Sequence, residues 1–158
     1  MLQTIIIISI LILDQVTKYL STAYLMNIES GSISLIKGIF HLTYVENKGA
    51  AFSILQNQRW LFVGITFLFI IFAIYYLIKH PKEKLVFKIG LSMILGGAIG
   101  NLIDRVRFGY VVDFLDFRAI NFAIFNVADS AVVIGSILLG YYLLFVMEKE
   151  NKKSPGSK

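Results

Sequence analysis

The chain is poor in the residues from which many enzymes build reactive centres. It has no cysteine, 2 histidines and 2 prolines among 158 residues. The absence of cysteine excludes disulfides, thiolate metal sites and a cysteine nucleophile. His41 and His80 lie far apart in the sequence, so a zinc site built on histidine is poorly supported. We therefore expect neither a cofactor nor a bound metal.

Charge is also scarce, and it is unevenly distributed. Only 16% of the residues are charged, whereas 57% are hydrophobic. The apolar residues gather in runs of about 20, the length that a helix needs to cross a bilayer. A net charge of +5 could indicate nucleic-acid binding, but the lysines cluster at the ends of the apolar runs. That pattern is typical of membrane topology, so we expect membrane lipids and no nucleic acid as partners.

The apolar runs predict an all-α membrane protein with four transmembrane helices, built as a single domain over residues 1–158. The runs cover residues 2 to 20–25, 60–78, 85–103 and 122–147. Both prolines, at 81 and 155, lie outside them, so none breaks a helix. The first run could be a cleaved signal peptide. It lacks a basic start, and Asp14 and Lys18 interrupt it, so we interpret it as a retained span.

Lysine density favours a topology with both termini in the cytoplasm. The link at residues 79–88 holds four lysines, and the tail at 149–158 holds four more. The basic residues of the two opposite segments are more widely spread. Because lysine and arginine are enriched on the cytoplasmic side, the link and the tail are predicted to lie inside. The tail itself is expected to be a disordered, solvated end.

The two segments on the outer side have strand character. In residues 40–45, Phe40, Leu42 and Tyr44 alternate with other side chains, the periodicity of a β-strand. A turn signal at 46–49 and a return strand at 50–55 follow. Residues 109–117 are rich in β-branched and aromatic types. We expect a small extracytoplasmic β-sheet beside the helices.

Asp129 lies in the first turns of the fourth run, where an unpaired charge is expensive. The apolar and small residues 130–147 that follow it span roughly 27 Å as a helix, close to the full hydrocarbon thickness. Asp129 is therefore predicted near the outer edge of the membrane. The same arithmetic on the third run puts Asp104 and Arg105 at or just below that edge.

Polar residues of the third and fourth runs are predicted to face each other at this depth. Asn101, Asp104 and Arg105 are spaced i, i+3, i+4 and share one helix face, and Asn126 and Asp129 share another. Below the first face, small residues form a stripe suited to close packing with a neighbouring helix. They are Ser92, Gly96, Gly97 and Gly100.

These polar residues also allow a structural interpretation. A single asparagine or serine in a span often only bonds one helix to another. An intramembrane carboxylate, in contrast, marks a functional site by default, which singles out Asp129. Asp113, in the loop between the third and fourth runs, can reach the same place. Asp104 beside Arg105 is interpreted as a supporting ion pair, and Asp116 as a solvated loop residue.

Five motifs resemble those of the lipoprotein signal peptidases, the signal peptidase II family of bacterial membrane-embedded aspartic proteases. They stand in the family's order within the four-span frame. The motifs are DQVTK at 14–18, ENKGAAFSIL at 46–55, GGAIGNLIDR at 96–105, VVDF at 111–114 and FNVADS at 125–130. Any one would be weak, but five in order are specific.

The resemblance implies a catalytic pair, Asp113 and Asp129, and no metal. It implies a set of substrate-binding or support residues, which are Asn47, Gly49, Asn101, Asp104, Arg105, Asn126, Asp14 and Lys18. The implied substrate is a membrane prolipoprotein whose lipobox cysteine carries diacylglyceryl, cut before that cysteine. The implied location is the bacterial cytoplasmic membrane, with the active site near the outer face.

Two other classes fit the carboxylates less well. A small proton- or ion-coupled transporter would also keep carboxylates in its spans, but more often near the midplane. It would not need an outer sheet. A structural or chaperone-like subunit would tolerate replacement of Asp113 and Asp129.

Overall fold

A computed structural model describes residues 1–49 and 55–147. Its four long helices are α1 (Leu2–Leu25), α2 (Arg59–Lys79), α3 (Leu85–Arg107) and α4 (Val127–Tyr141), and α4 continues in wider π-helical turns over Tyr142–Met147. All four are long and apolar enough to cross a membrane, which confirms the predicted helical architecture. The predicted tail and all of the predicted return strand except Leu55 lie outside the described residues.

Helix α3 is the centre of the bundle and packs against α1, α2 and α4. The predicted small-residue stripe allows this close approach. A methyl group on Gly97 would collide with the backbone oxygen of Ala128 in α4, and one on Gly96 would press on Ile10 in α1. In contrast, α2 exposes most of its apolar side chains, as expected of a helix that faces lipid.

Two helix boundaries differ from the prediction. Helix α3 continues four residues past the predicted end at 103, so Asp104 and Arg105 lie within its last turns. Helix α4 begins at Val127 rather than near 122, because Asn126 has extended backbone geometry and caps the helix. Asn126 therefore does not share a helix face with Asp129. The two side chains instead form a capping box, each accepting the other's backbone N–H.

A three-stranded antiparallel sheet is attached to this bundle. Its order is β1 (Ser32–Ile36), β2 (Phe40–Asn47) and β3 (Val111–Phe117), so β2 is central. Strand β3 lies within the predicted segment 109–117, and β2 includes the predicted segment 40–45 but continues through Asn47, into the predicted turn at 46–49. Strand β1 was not predicted, although isoleucine, leucine and serine alternate there.

The sheet corrects two interpretations of loop aspartates. Asp113 lies within β3, opposite Val45 and beside an irregularity in the β2–β3 register. Asp116 is also in β3 and is only 6% exposed. It accepts hydrogen bonds from Thr43 and Arg118, so it is a structural partner within the sheet and not a solvated residue.

Candidate active site

Asp113 is a buried carboxylate, 2% exposed, in strand β3, which contacts α1 and α3. Its Oδ2 accepts an N–H from Asn47 at 2.9 Å, and its Oδ1 accepts one from Asn126 at 2.7 Å. Burial raises the pKa of Asp113 to about 7, and the charge of Asp129 adds to this effect, while the two N–H donors oppose it. Near neutral pH this carboxyl group can therefore hold or release a proton.

Asp129 is the second carboxylate, in the first turn of α4. Its Oδ1 accepts from Asn101 Nδ2 at 2.7 Å, and its Oδ2 accepts from the backbone N–H of Asn126 at 3.2 Å. Asn126, which is fully buried, therefore contacts both carboxylates: its amide group donates to Asp113 and its backbone donates to Asp129. The strand and the helix are held in one arrangement by this residue.

Arg105 borders the pair without forming the predicted ion pair with Asp104. Its Nη2 donates to the carbonyl of Gly49 at 3.0 Å, and its guanidinium stacks 5.1 Å from the ring centre of Phe62. Consecutive helical residues point about 100° apart, so neighbours in the sequence face different partners. Asp104 faces α1 and pairs with Lys18 instead.

A buried ionic cluster lies directly behind the carboxylate pair. Lys18 Nζ contacts Asp14 Oδ2, Asp104 Oδ2 and Asn101 Oδ1, each at 2.9 Å. The other carboxylate oxygen of Asp14, Oδ1, accepts the backbone N–H of Ala128 in α4, so the cluster joins three helices. Asp14 and Asp104 also accept hydrogen bonds from Gln15 Nε2, a residue that sequence reasoning missed although it belongs to the DQVTK motif.

The two carboxylates line a cleft of about 580 Å³. Its polar end carries both aspartates, Asn47, Asn101 and Arg105. The rest of its wall is mostly apolar, from residues 122–125 and from Val132, Val133 and Ile134 of α4. All ten residues singled out from the sequence lie in this cleft, in the cluster behind it, or in hydrogen-bond contact with one of them.

A cleft with buried carboxylates at the end of a membrane helix bundle is the architecture of a membrane-embedded enzyme. The chain is similar to two solved structures titled as bacterial membrane enzymes. One has a TM-score of 0.84 and 37% identity, covering 99% of this chain and 94% of that one. The other has a TM-score of 0.80 and 39% identity, covering 90% and 92%.

Sequence comparison identifies the family. Residues 6–145 match the family model described as signal peptidase (SPase) II. A lipoprotein signal peptidase of Caldanaerobacter subterraneus subsp. tengcongensis is 57% identical over 136 residues, covering 86% of this chain and 91% of that protein. One of Clostridioides difficile is 45% identical over 149 residues, covering 94% and 99%. The chain belongs to the signal peptidase II family and is a protease of a bacterial membrane.

Proposed function

We propose that the chain is an aspartic endopeptidase that removes the signal peptide from diacylglyceryl-modified prolipoproteins, cutting before the lipidated cysteine. The observation that carries this proposal is the pair Asp113 and Asp129 at the polar end of an apolar cleft. The relatives named lipoprotein signal peptidase support the substrate class.

In the proposed mechanism the two carboxylates share one proton. Two nearby carboxylates do not both ionise easily, and Asp113 has a pKa raised to about 7, which suits proton exchange at neutral pH. The ionised carboxylate takes a proton from a water molecule, which attacks the scissile carbonyl. The protonated carboxyl donates its proton to the carbonyl oxygen, which gives a tetrahedral gem-diol. The C–N bond then breaks as the carboxyl that took the water proton passes it to the departing amine, and the other carboxylate takes a proton back from a gem-diol hydroxyl, which restores the shared proton. Because the two carboxylates interact, they titrate as a pair and the proton belongs to both.

The cleft suits a substrate that is itself anchored in lipid. Its apolar wall on α4 extends along the helix below the carboxylates, where acyl chains or a hydrophobic signal helix can pack. With about 27 Å of apolar helix following Asp129, the pair would lie near the outer edge of the hydrocarbon. A scissile bond beside a lipidated cysteine would lie at the same depth.

The experiment is cleavage of a diacylglyceryl-modified prolipoprotein by the purified protein in detergent. Asp113→Asn and Asp129→Asn should each abolish cleavage, because each removes one proton-transfer group. Asp116→Asn is the matched control, because Asp116 is also an aspartate of β3 but bonds to Thr43 and Arg118, which are not among the residues that line the cleft. Near-normal turnover in either of the first two variants would refute the two-carboxylate mechanism.

Both termini are proposed to be cytoplasmic, with the sheet outside. The chain has no native cysteine, so single-cysteine variants can report the topology. Lys37→Cys, in the turn between β1 and β2, should react in intact cells with a membrane-impermeant maleimide. Lys82→Cys, in the link between α2 and α3, should react only after the cells are opened. The reverse pattern would invert the proposed orientation.

The transporter alternative finds no support in the comparisons. Family membership favours a peptidase, and the carboxylates lie at the end of the bundle rather than halfway along it. A purely structural subunit would tolerate Asp113→Asn and Asp129→Asn without loss of function. The cleavage experiment above therefore also tests that class.

A further inference from the structure

Lys18 lies behind the carboxylate pair with no access to the cleft. It is 3% exposed, and its ammonium group already donates to Asp14, Asp104 and Asn101. Three donors meet three acceptors, so the group has no capacity left for substrate. Two of these acceptors are ionisable partners within the cluster. The third, the Asn101 amide oxygen, belongs to a residue that contacts Asp129.

The contact with Lys18 decides which way the Asn101 amide points. An ammonium group can only donate, so it selects the amide oxygen of Asn101 and turns Nδ2 toward Asp129. The reversed amide would set its NH₂ group against the ammonium of Lys18 and its oxygen against the carboxylate of Asp129. Asn126 Nδ2 also donates to Asn101 Oδ1, at 3.2 Å, and reinforces the same orientation.

We propose that Lys18 is a positioning residue of the reaction, which fixes the Asn101 amide so that it donates to Asp129. This inference rests on the proposed function, because it assigns a role relative to the proposed catalytic pair. Lys18 affects the rate through Asn101, whereas its charge affects the pH at which the pair titrates, and it does not contact substrate. The ionic cluster therefore orients the Asn101 amide in addition to joining the helices.

The first test is a double-mutant cycle between Lys18→Met and Asn101→Ala. Methionine keeps most of the length of lysine and removes the charge and the donors. Each single variant should lower kcat by about tenfold or more, the effect of losing one charge-assisted hydrogen bond. If Lys18 acts through Asn101, the double variant should be no slower than Asn101→Ala alone. Losses that multiply would overturn the proposal.

Two further readouts separate positioning from mere structural support. KM should stay near the wild-type value in Lys18→Met, because the side chain cannot reach substrate. The positive charge of Lys18 lowers the pKa of Asp113, whereas the negative charge of Asp129 raises it, and the Arg105 guanidinium also faces the pair. Removing Lys18 should therefore raise the pKa of Asp113 and move the alkaline limb of the pH profile of kcat to higher pH. An unmoved limb or a large rise in KM would count against the proposal.

Removing Lys18 leaves two buried carboxylates without their cation, which can prevent folding. In that case the same cycle is run in the Asp14→Asn background, which removes one negative charge and keeps the oxygen that accepts from Ala128. Lys88→Met is the matched control. Lys88 bonds to Pro81 O at the opposite end of α3, so its loss should leave kcat and its pH profile unchanged.

The Asp113→Asn variant separates the two proposals. If it remains active, the proposed function fails and the role of Lys18 fails with it. If it is inactive while the Lys18 and Asn101 effects multiply, only the positioning role is refuted.

Discussion

Replacing Asn126 by alanine tests the centre of the site, because this one side chain serves the fold and the chemistry. Asn126 is fully buried. Its Oδ1 accepts the backbone N–H of Asp129 as the cap of α4, and its Nδ2 donates to Asp113 at 2.7 Å. The amide also reaches Asn101 and the carbonyl of Val112. Alanine removes all of these bonds at once.

The expected effects can be worked out from these contacts. Loss of the cap costs about 1 kcal/mol of stability, and the lost bonds to Asp113 and to the Val112 carbonyl cost about 1–3 kcal/mol each, so we expect a total of about 3–7 kcal/mol. The bond to Asp113 involves a charged group and is worth about 1.5–3 kcal/mol. If this bond strengthens by that amount in the transition state, its loss lowers the cleavage rate by roughly 10- to 150-fold.

The assay compares cleavage rates at matched amounts of folded protein and measures thermal unfolding in detergent separately. Asn126→Ser is the matched control, since serine keeps a cap acceptor but is too short to reproduce the whole amide network. It should recover part of the stability and less of the rate. A wild-type rate for Asn126→Ala would show that this side chain is only a link between elements. A loss as complete as in Asp113→Asn would show that its role is more than support.

Four further predictions follow from other contacts. Asp129→Glu should preserve helix α4, because glutamate suits the third position of a capping box, but should strongly reduce cleavage by displacing the carboxylate; normal cleavage would refute the geometric requirement. Arg105→Lys should lower turnover about tenfold without abolishing it, because lysine cannot reproduce the fork that bonds Gly49 O; an unchanged rate would remove Arg105 from the site. Gly97→Ala should destabilise the fold by about 1–3 kcal/mol in thermal unfolding, whereas Gly140→Ala, with open space beside it, should not. Cleavage should decline as pH rises above about 7, because Asp113 then loses the shared proton; a rate still rising well above that pH would contradict the assignment.

The helices were predictable because hydropathy alone specifies them. Runs of about 20 apolar residues leave no alternative that satisfies the backbone in lipid. The helix ends were harder to predict, since they depend on polar contacts. Helix α4 begins where the Asn126 side chain caps it, and the apolar residues 122–125 before that point line the cleft in non-helical form. Hydropathy does not distinguish an apolar wall from an apolar helix.

The members of the site were found through motifs, whereas their pairing required the fold. Sequence proximity suggested that Asp104 would pair with Arg105, but the helix turns Asp104 toward Lys18, 86 positions earlier in the chain. Helical spacing also could not show that Asp113 belongs to a strand that pairs with β2 and approaches α4. Such contacts depend on how α1, α3 and the sheet assemble, and no local pattern encodes them.

A carboxylate is tolerated in the first turn of a membrane helix because the helix start itself binds it. Asp129 Oδ2 accepts the N–H of Asn126, one of the donors that the start of α4 leaves without a helical partner. The same position lies at the positive end of the helix dipole, which favours a negative charge. Asn101 supplies a second donor, and Lys18 fixes that donor's direction from behind. The polar groups that stabilise the Asp129 carboxylate in the membrane are therefore the ones that orient it toward the cleft. Substitutions in this shell are expected to change stability and the position of the carboxylate together, which is why stability and turnover must be measured separately in every variant above.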